Sequence, residues 1–125
     1  MRKWFVASMA SVTVLGIVSW VSGAENKAKT IKEVMKAAHG GGANSLLAKV
    51  ASGKGSKEDA EKLLALYEDL AKNDAPRGDA AAWKKKNDEI LKQAKAVVNG
   101  DAGAGAKLRA AANCMNCHKD HKPAD

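Results

Sequence analysis

The pentapeptide Cys114-Met115-Asn116-Cys117-His118, close to the C-terminus, constrains this chain more than any other stretch. On a helix, two cysteines three positions apart lie one above the other, and the next residue is turned about 100° further round. C-x-x-C-H is the attachment signature of c-type haem, in which the thiols form thioether bonds to the porphyrin and the imidazole binds iron. We therefore predict one covalent haem c on Cys114 and Cys117, with His118 as an iron ligand.

Four other interpretations of the two cysteines compete with haem, one of which is a chance occurrence of the motif. A disulfide between them would close so short a loop that it would remove little chain entropy. A thioredoxin-like redox pair needs a βαβ unit, and no strand-like run follows residue 24. A zinc site could use Cys114, Cys117, His118 and His121, but the ligands of structural zinc usually come from two separated segments. Haem explains the motif best if the chain is exported.

The N-terminus has the pattern of an export signal. Residues 1–3 carry two positive charges, residues 4–21 carry none, and Ser22-Gly23-Ala24 is a small-residue cleavage pattern. We predict a signal peptide over residues 1–24 and a cytochrome domain over residues 25–125 in the periplasm or an equivalent exported space. An uncleaved membrane anchor is the alternative interpretation of the uncharged run.

The composition of the mature chain suits a small domain with a large cofactor. Once the signal is removed, Tyr67 and Trp83 are the remaining aromatic residues, so a buried haem would supply bulk that the core lacks. The full chain carries a net charge of +7. Its lysine excess fits an acidic protein partner or a solvated surface, and the densest run, residues 84–86, is interpreted as a solvated helix face. The absence of arginine clusters argues against nucleic acid binding.

Hydrophobic spacing predicts four helices and no strands. The first spans residues 27–52, and its Gly40-Gly41-Gly42 segment is interpreted as a close approach of another helix or the haem, with a kink as the alternative. The second follows a capping box at Ser56 and runs to residue 72. Asp79 caps the third, which ends at Asn99-Gly100. The fourth starts between residues 101 and 105 and carries the haem motif. Short connections favour an antiparallel up-down-up-down four-helix bundle.

The inward faces of these helices follow from the same spacing. The second helix is predicted to bury Ala60, Leu63, Leu64, Tyr67, Leu70 and Ala71, and the third Trp83, Ile90, Leu91, Ala94, Val97 and Val98. On the fourth, Leu108, Ala111, Met115 and His118 form one stripe. His121, three residues after His118, is expected to be solvated.

Taken together, these segments resemble the class II cytochromes c, whose best-known members, the cytochromes c′, are four-helix bundles. The likeness rests on the haem motif at the extreme C-terminus, on residues 34–38 followed by glycines, and on residues 79–84 at the start of the third helix. It spans nearly the whole mature chain, but C-x-x-C-H is its one highly specific part. It implies a single haem and a soluble bundle, which in this family is often a homodimer.

The resemblance also implies the sixth iron ligand. The family position occupied by Met35 holds either a bulky apolar residue, which leaves iron open to gases, or a methionine that binds it. Met35 is similar to the second case, and a thioether ligand leaves no place for substrate. His39, one helical turn later, is the rival ligand because both side chains point the same way.

The expected function is therefore electron transfer without catalysis, by a carrier that makes transient contacts with acidic redox proteins. The alternative is a five-coordinate protein that binds NO or CO, similar to cytochromes c′. Haem propionates would need a cationic neighbour, for which Arg109, Lys119 and Lys122 are the candidates.

Overall fold

The computed structural model describes residues 27–123, and all regular structure in that range is helical. The elements are α1 (Ile31–Val34), a π-helical turn (Met35–His39), a 3₁₀ turn (Gly42–Asn44), α2 (Leu46–Ala51), α3 (Lys57–Lys72), α4 (Ala80–Val98), α5 (Ala104–Ala111) and α6 (Cys114–His121). The predicted all-α class is confirmed for this range. The predicted signal peptide lies outside it, and no helix within it is long and apolar enough to span a membrane.

The predicted first helix is interrupted. It begins only at Ile31, because Thr30 and Glu33 form a capping box in which each side chain accepts the backbone N–H of the other. After the π turn, the backbone is left-handed at Gly41, with φ of 97°, which favours glycine. A Cβ on Gly42 would meet nothing within 4 Å, and the atoms near Gly41 belong to its own segment. The expected close approach of another helix is therefore wrong, and the glycines break the helix, as the alternative interpretation had it.

The boundaries of α3 and α4 agree with the sequence prediction, and capping side chains specify where each helix begins. Ser56 Oγ accepts the backbone N–H of Asp59 at 3.1 Å, and the Asp59 carboxylate accepts that of Ser56 at 3.1 Å. The Asp79 carboxylate caps α4 by accepting the backbone N–H of Ala82. Beyond α4, the backbone is left-handed at Gly100, with φ of 77°, as the predicted C-cap requires.

The core lies where α3 packs on α4, α4 on α5, and α2 on both α3 and α5. Its fully buried side chains include Leu63, Tyr67 and Leu108. Several predicted inward residues are only partly buried, namely Leu64, Ala71, Leu91, Val97 and Val98. The buried residues that were not predicted include Leu66, Asn87, Gln93, Ala104 and Ala112.

The predicted fourth helix is two helices. α5 ends at Ala111, and the Asn113 side chain caps α6 by accepting the backbone N–H groups of Met115 and Asn116 at 3.0 and 3.2 Å. The break changes the rotation of the second half, so the predicted stripe ends with α5. Met115 is 75% exposed, where packing was expected.

Candidate functional site

A cavity of about 540 Å³ is bounded by the π turn, α3, α4 and α6. Cavities that bind cofactors and small molecules usually measure roughly 300 to 1,000 Å³ and are mostly apolar. Ile31, Leu70, Pro76, Trp83 and Ile90 form much of its apolar wall. The predicted site residues also line it, namely Met35, Cys114, Cys117 and His118. The fold thus brings together sulfur and imidazole side chains from opposite ends of the described chain.

The π turn supplies one wall of this cavity. Val34 and Ala38 are fully buried in the core and anchor the turn. Met35 and His39, both partly buried, reach the cavity, in agreement with the prediction that they point the same way. Single π turns in proteins are frequent at functional sites.

His39 is tied to α3 by a hydrogen bond. Its Nε2 lies 2.9 Å from the hydroxyl oxygen of Tyr67, and the two rings meet edge to face with centroids 5.9 Å apart. Burial lowers the pKa of His39, and the nearby charge of His118 lowers it further. Burial has the opposite effect on Tyr67 and raises its pKa, and the nearby Cys114 raises it slightly more. At neutral pH the pair is therefore an uncharged imidazole and an intact phenol.

No disulfide joins the two motif cysteines, of which Cys114 is exposed and Cys117 is half-buried. Burial raises the pKa of Cys117, and the opposing effect of Lys86 is smaller. Between residues 27 and 123, no three His, Cys, Asp or Glu side chains are grouped so that they could hold a metal ion. The four candidate zinc ligands therefore do not converge, and the helical surroundings lack the strands of a thioredoxin-like unit.

Lys86 fixes α6 against α4. Its Nζ donates hydrogen bonds of 2.8 Å to the backbone carbonyl of Asn116 and to Asp120 Oδ2. The Lys86 side chain is only 21% exposed. The prediction that residues 84–86 form a solvated face is thus wrong for Lys86, although it holds for Lys84 and Lys85.

The loop between α3 and α4 holds the other side of α6. Arg77 donates from Nη2 to the Lys119 carbonyl at 2.7 Å, while its own carbonyl accepts from His121 Nδ1 at 2.8 Å. The backbone at Gly78 is left-handed, with φ of 82°, and a Cβ there would lie 2.6 Å from the carbonyl oxygen of Asp120. Only glycine lets the loop and α6 approach this closely.

His121 is buried, so its expected solvation is wrong. It is 1% exposed and lines the cavity with its ring edge to face on Trp83, at a centroid distance of 5.3 Å. Because a carbonyl accepts from Nδ1, the proton sits on Nδ1. Its buried Nε2 has no hydrogen-bond partner within the described part of the chain. Helical spacing could have located this residue, since it lies four positions after the half-buried Cys117.

The three cations proposed for haem propionates lie in different places. Lys122 lines the cavity, and so does Lys32, which the sequence did not suggest. Arg109 lines an adjoining, more polar groove of about 820 Å³, which shares His39 and Cys114 with the cavity. Lys119 lines neither. Lys32 and Lys122 are therefore the cations best placed for an anionic group in the cavity.

Comparison of the chain with protein-family models, curated proteins and solved structures found no match. The likeness to class II cytochromes c therefore stays a prediction from the sequence motifs. The functional argument depends on those motifs and on the geometry of the cavity.

Proposed function

We propose that this chain is an exported mono-haem c-type cytochrome that carries electrons, and that its helices form an antiparallel four-helix bundle around the haem. The observation that supports this proposal most strongly is the shared position of four side chains. Cys114, Cys117, His118 and Met35 all line one apolar cavity. Two thiols, an imidazole and a thioether are the complete donor set of a His/Met-ligated haem c.

The cavity suits haem in three further respects. Its volume falls within the range that holds cofactors. Apolar side chains dominate its wall, as a porphyrin face requires, while Lys32 and Lys122 provide positive charge for carboxylates. The unpartnered Nε2 of His121 is a buried polar atom that a polar group of a bound molecule would stabilise.

When bound, haem would supply one iron that cycles between the ferric and ferrous states at a potential set by its axial ligands and its burial. Cys114 and Cys117 would hold the ring edge, and His118 would bind the iron from α6. Met35, supported by the buried residues of the π turn, would close the sixth position and favour the ferrous state. Leu70, Trp83 and Ile90, which line the cavity, would exclude water from the haem face.

Electron exchange would take place where the cavity opens to solvent. Cys114 is exposed there, and so are the side chains of Lys32 and Lys122. Positive charge at this opening favours transient, salt-sensitive contacts with an acidic redox protein. With Met35 bound to the iron, no coordination position would be left for a substrate, so the protein would act as a carrier and not as an enzyme.

The proposal is tested by expression of the full chain with its own N-terminus in a host that attaches c-type haem. Mass spectrometry should find one haem per chain, and the ferric spectrum should contain the weak far-red band of methionine-ligated haem. The ferrous protein should bind carbon monoxide poorly. A colourless product without an adduct would refute the proposal.

The variant Met35→Leu tests the sixth ligand. It should lose the far-red band and gain carbon monoxide binding, because leucine has no donor atom. The matched control is Met115→Leu, since Met115 is exposed to solvent and its replacement should leave the spectrum unchanged. High-spin spectra and ready carbon monoxide binding in the wild-type protein would instead favour the five-coordinate gas-binding alternative.

A further inference from the structure

The π turn supplies two potential sixth ligands, and the structure distinguishes them by one contact. Met35 and His39 both belong to the π turn and both reach the cavity. An imidazole is a common iron ligand, so position alone does not exclude His39. The difference is that His39 is hydrogen-bonded to Tyr67, whereas a thioether is a weak acceptor with no need of such a partner.

We propose that Tyr67 selects the sixth iron ligand, by holding His39 Nε2 and so leaving the position to Met35. This inference rests on the proposed function, because it concerns a haem bound in this cavity. It assigns a positioning role to Tyr67, which hydrophobic spacing identifies only as a buried residue of α3.

The hydrogen bond blocks Nε2 in either tautomer of His39. If the phenol donates, it occupies the lone pair that iron would need. If Nε2 carries the proton, it donates to the phenol oxygen and has no lone pair to offer. Nε2 is also the ring nitrogen furthest from the helix backbone, so it is the nitrogen with the longest reach. Binding of His39 through Nε2 would therefore require the contact with Tyr67 to break.

Tyr67 is well suited to hold this position. It is 1% exposed, and Leu63 and Leu70, one turn away on either side of it on α3, are also buried. Packing therefore fixes the phenol ring, and the hydroxyl has no freedom to follow His39. Release of His39 would leave that hydroxyl unpartnered in an apolar wall, which adds to the cost of the exchange.

The experiment compares variants that lack the competing methionine. Met35→Ala alone should have an open sixth position, a high-spin spectrum and ready carbon monoxide binding, because Tyr67 still holds His39. Addition of Tyr67→Phe keeps the ring and removes the hydroxyl. The double variant should become low-spin, with an affinity for carbon monoxide weaker by roughly twofold to tenfold, the effect expected of one hydrogen bond. A third substitution, His39→Ala, should restore the spectrum of Met35→Ala.

Two results would overturn the inference. The first is a low-spin spectrum of Met35→Ala that is lost on adding His39→Ala, since His39 would then bind iron despite Tyr67. The second is an unchanged spectrum on adding Tyr67→Phe. The Met35→Ala/His39→Ala variant can still refute the inference if Tyr67→Phe fails to fold, because the inference requires its spectrum to equal that of Met35→Ala.

A further readout concerns the hydrogen bond directly. In the ferrous state, the ¹⁵N chemical shift of His39 Nε2 should differ between the wild-type protein and the Tyr67→Phe variant, while the shifts of His121 should be the same in both. An unchanged His39 signal would contradict the contact. Failure of this inference is distinguishable from failure of the proposed function. Wild-type protein without covalent haem refutes both, whereas methionine-ligated wild type with unresponsive variants refutes only the role of Tyr67.

Discussion

The contact between the α3–α4 loop and α6 should make Gly78→Ala lower the free energy of unfolding much more than an ordinary glycine substitution does. Gly78 has φ of 82°, and an added Cβ would lie 2.6 Å from the Asp120 carbonyl oxygen and 3.2 Å from His121 Nδ1. The backbone atom cannot move without displacing α6. We therefore expect the loop and α6 to separate, with loss of the bond from His121 to the Arg77 carbonyl.

The expected magnitude follows from three contributions. A left-handed conformation costs a residue other than glycine about 1–2 kcal/mol. Loss of the bond between His121 and Arg77 costs about 1 kcal/mol. The lower entropy of the unfolded alanine chain offsets about 0.7 kcal/mol of this. The net decrease in the free energy of unfolding should be about 2 kcal/mol.

Gly100→Ala is the matched control. The backbone at Gly100 has φ of 77°, but a Cβ there would meet nothing within 4 Å. Gly100→Ala should lower the free energy of unfolding only through the left-handed conformation and the unfolded-chain entropy, by about 1 kcal/mol. Urea denaturation measures both losses from the shift in midpoint at constant slope. Equal destabilisation by the two variants would show that the loop does not approach α6 as described.

Other substitutions test the core and the attachment of α6. Leu63→Ala should lower the free energy of unfolding by about 2–5 kcal/mol, because Leu63 is fully buried on α3. Leu64 is only partly buried, so an equal or larger loss of stability in Leu64→Ala would contradict the central position of Leu63. Lys86→Met keeps the aliphatic stem but removes both hydrogen bonds to α6, so it should lower the urea midpoint. Lys84→Met should lower it less, because the exposed ammonium of Lys84 pairs only with Asp88 within α4. Equal midpoints would argue against the bridge from Lys86 to α6.

Helix ends were predictable where a side chain a few residues away specifies them. Ser56 and Asp79 are capping residues whose partners lie three positions on, so their signal is contained in a short window of sequence. The start of α1 has the same kind of signal, since Thr30 and Glu33 stand at capping-box spacing, whereas hydrophobic spacing predicts a helix that already begins at residue 27. Local hydrogen bonds, and not hydrophobic spacing, determine where this helix begins.

Four residues that line the cavity were predictable from the sequence, but the residues that hold α6 in place were not. Motif spacing and the family resemblance identified the two cysteines, His118 and Met35, and all four line the cavity. Arg77 and Lys86 instead act through backbone carbonyls of α6, at sequence separations of 42 and 30 residues. A carbonyl acceptor exists at every position, so the sequence holds no pattern from which such a contact could be predicted.

The break at Ala112 and Asn113 gives the cavity its arrangement of donors. Leu108 is fully buried, and in a continuous helix the same face would carry Met115 inward, seven residues on. The Asn113 cap starts a new helix instead, with Met115 exposed, Cys117 half-buried and His121 buried. Because α6 is short, bonds from Lys86 and the α3–α4 loop to its backbone fix its rotation. The side chains that face the cavity are therefore determined by tertiary contacts, and a bound porphyrin would strengthen the same arrangement.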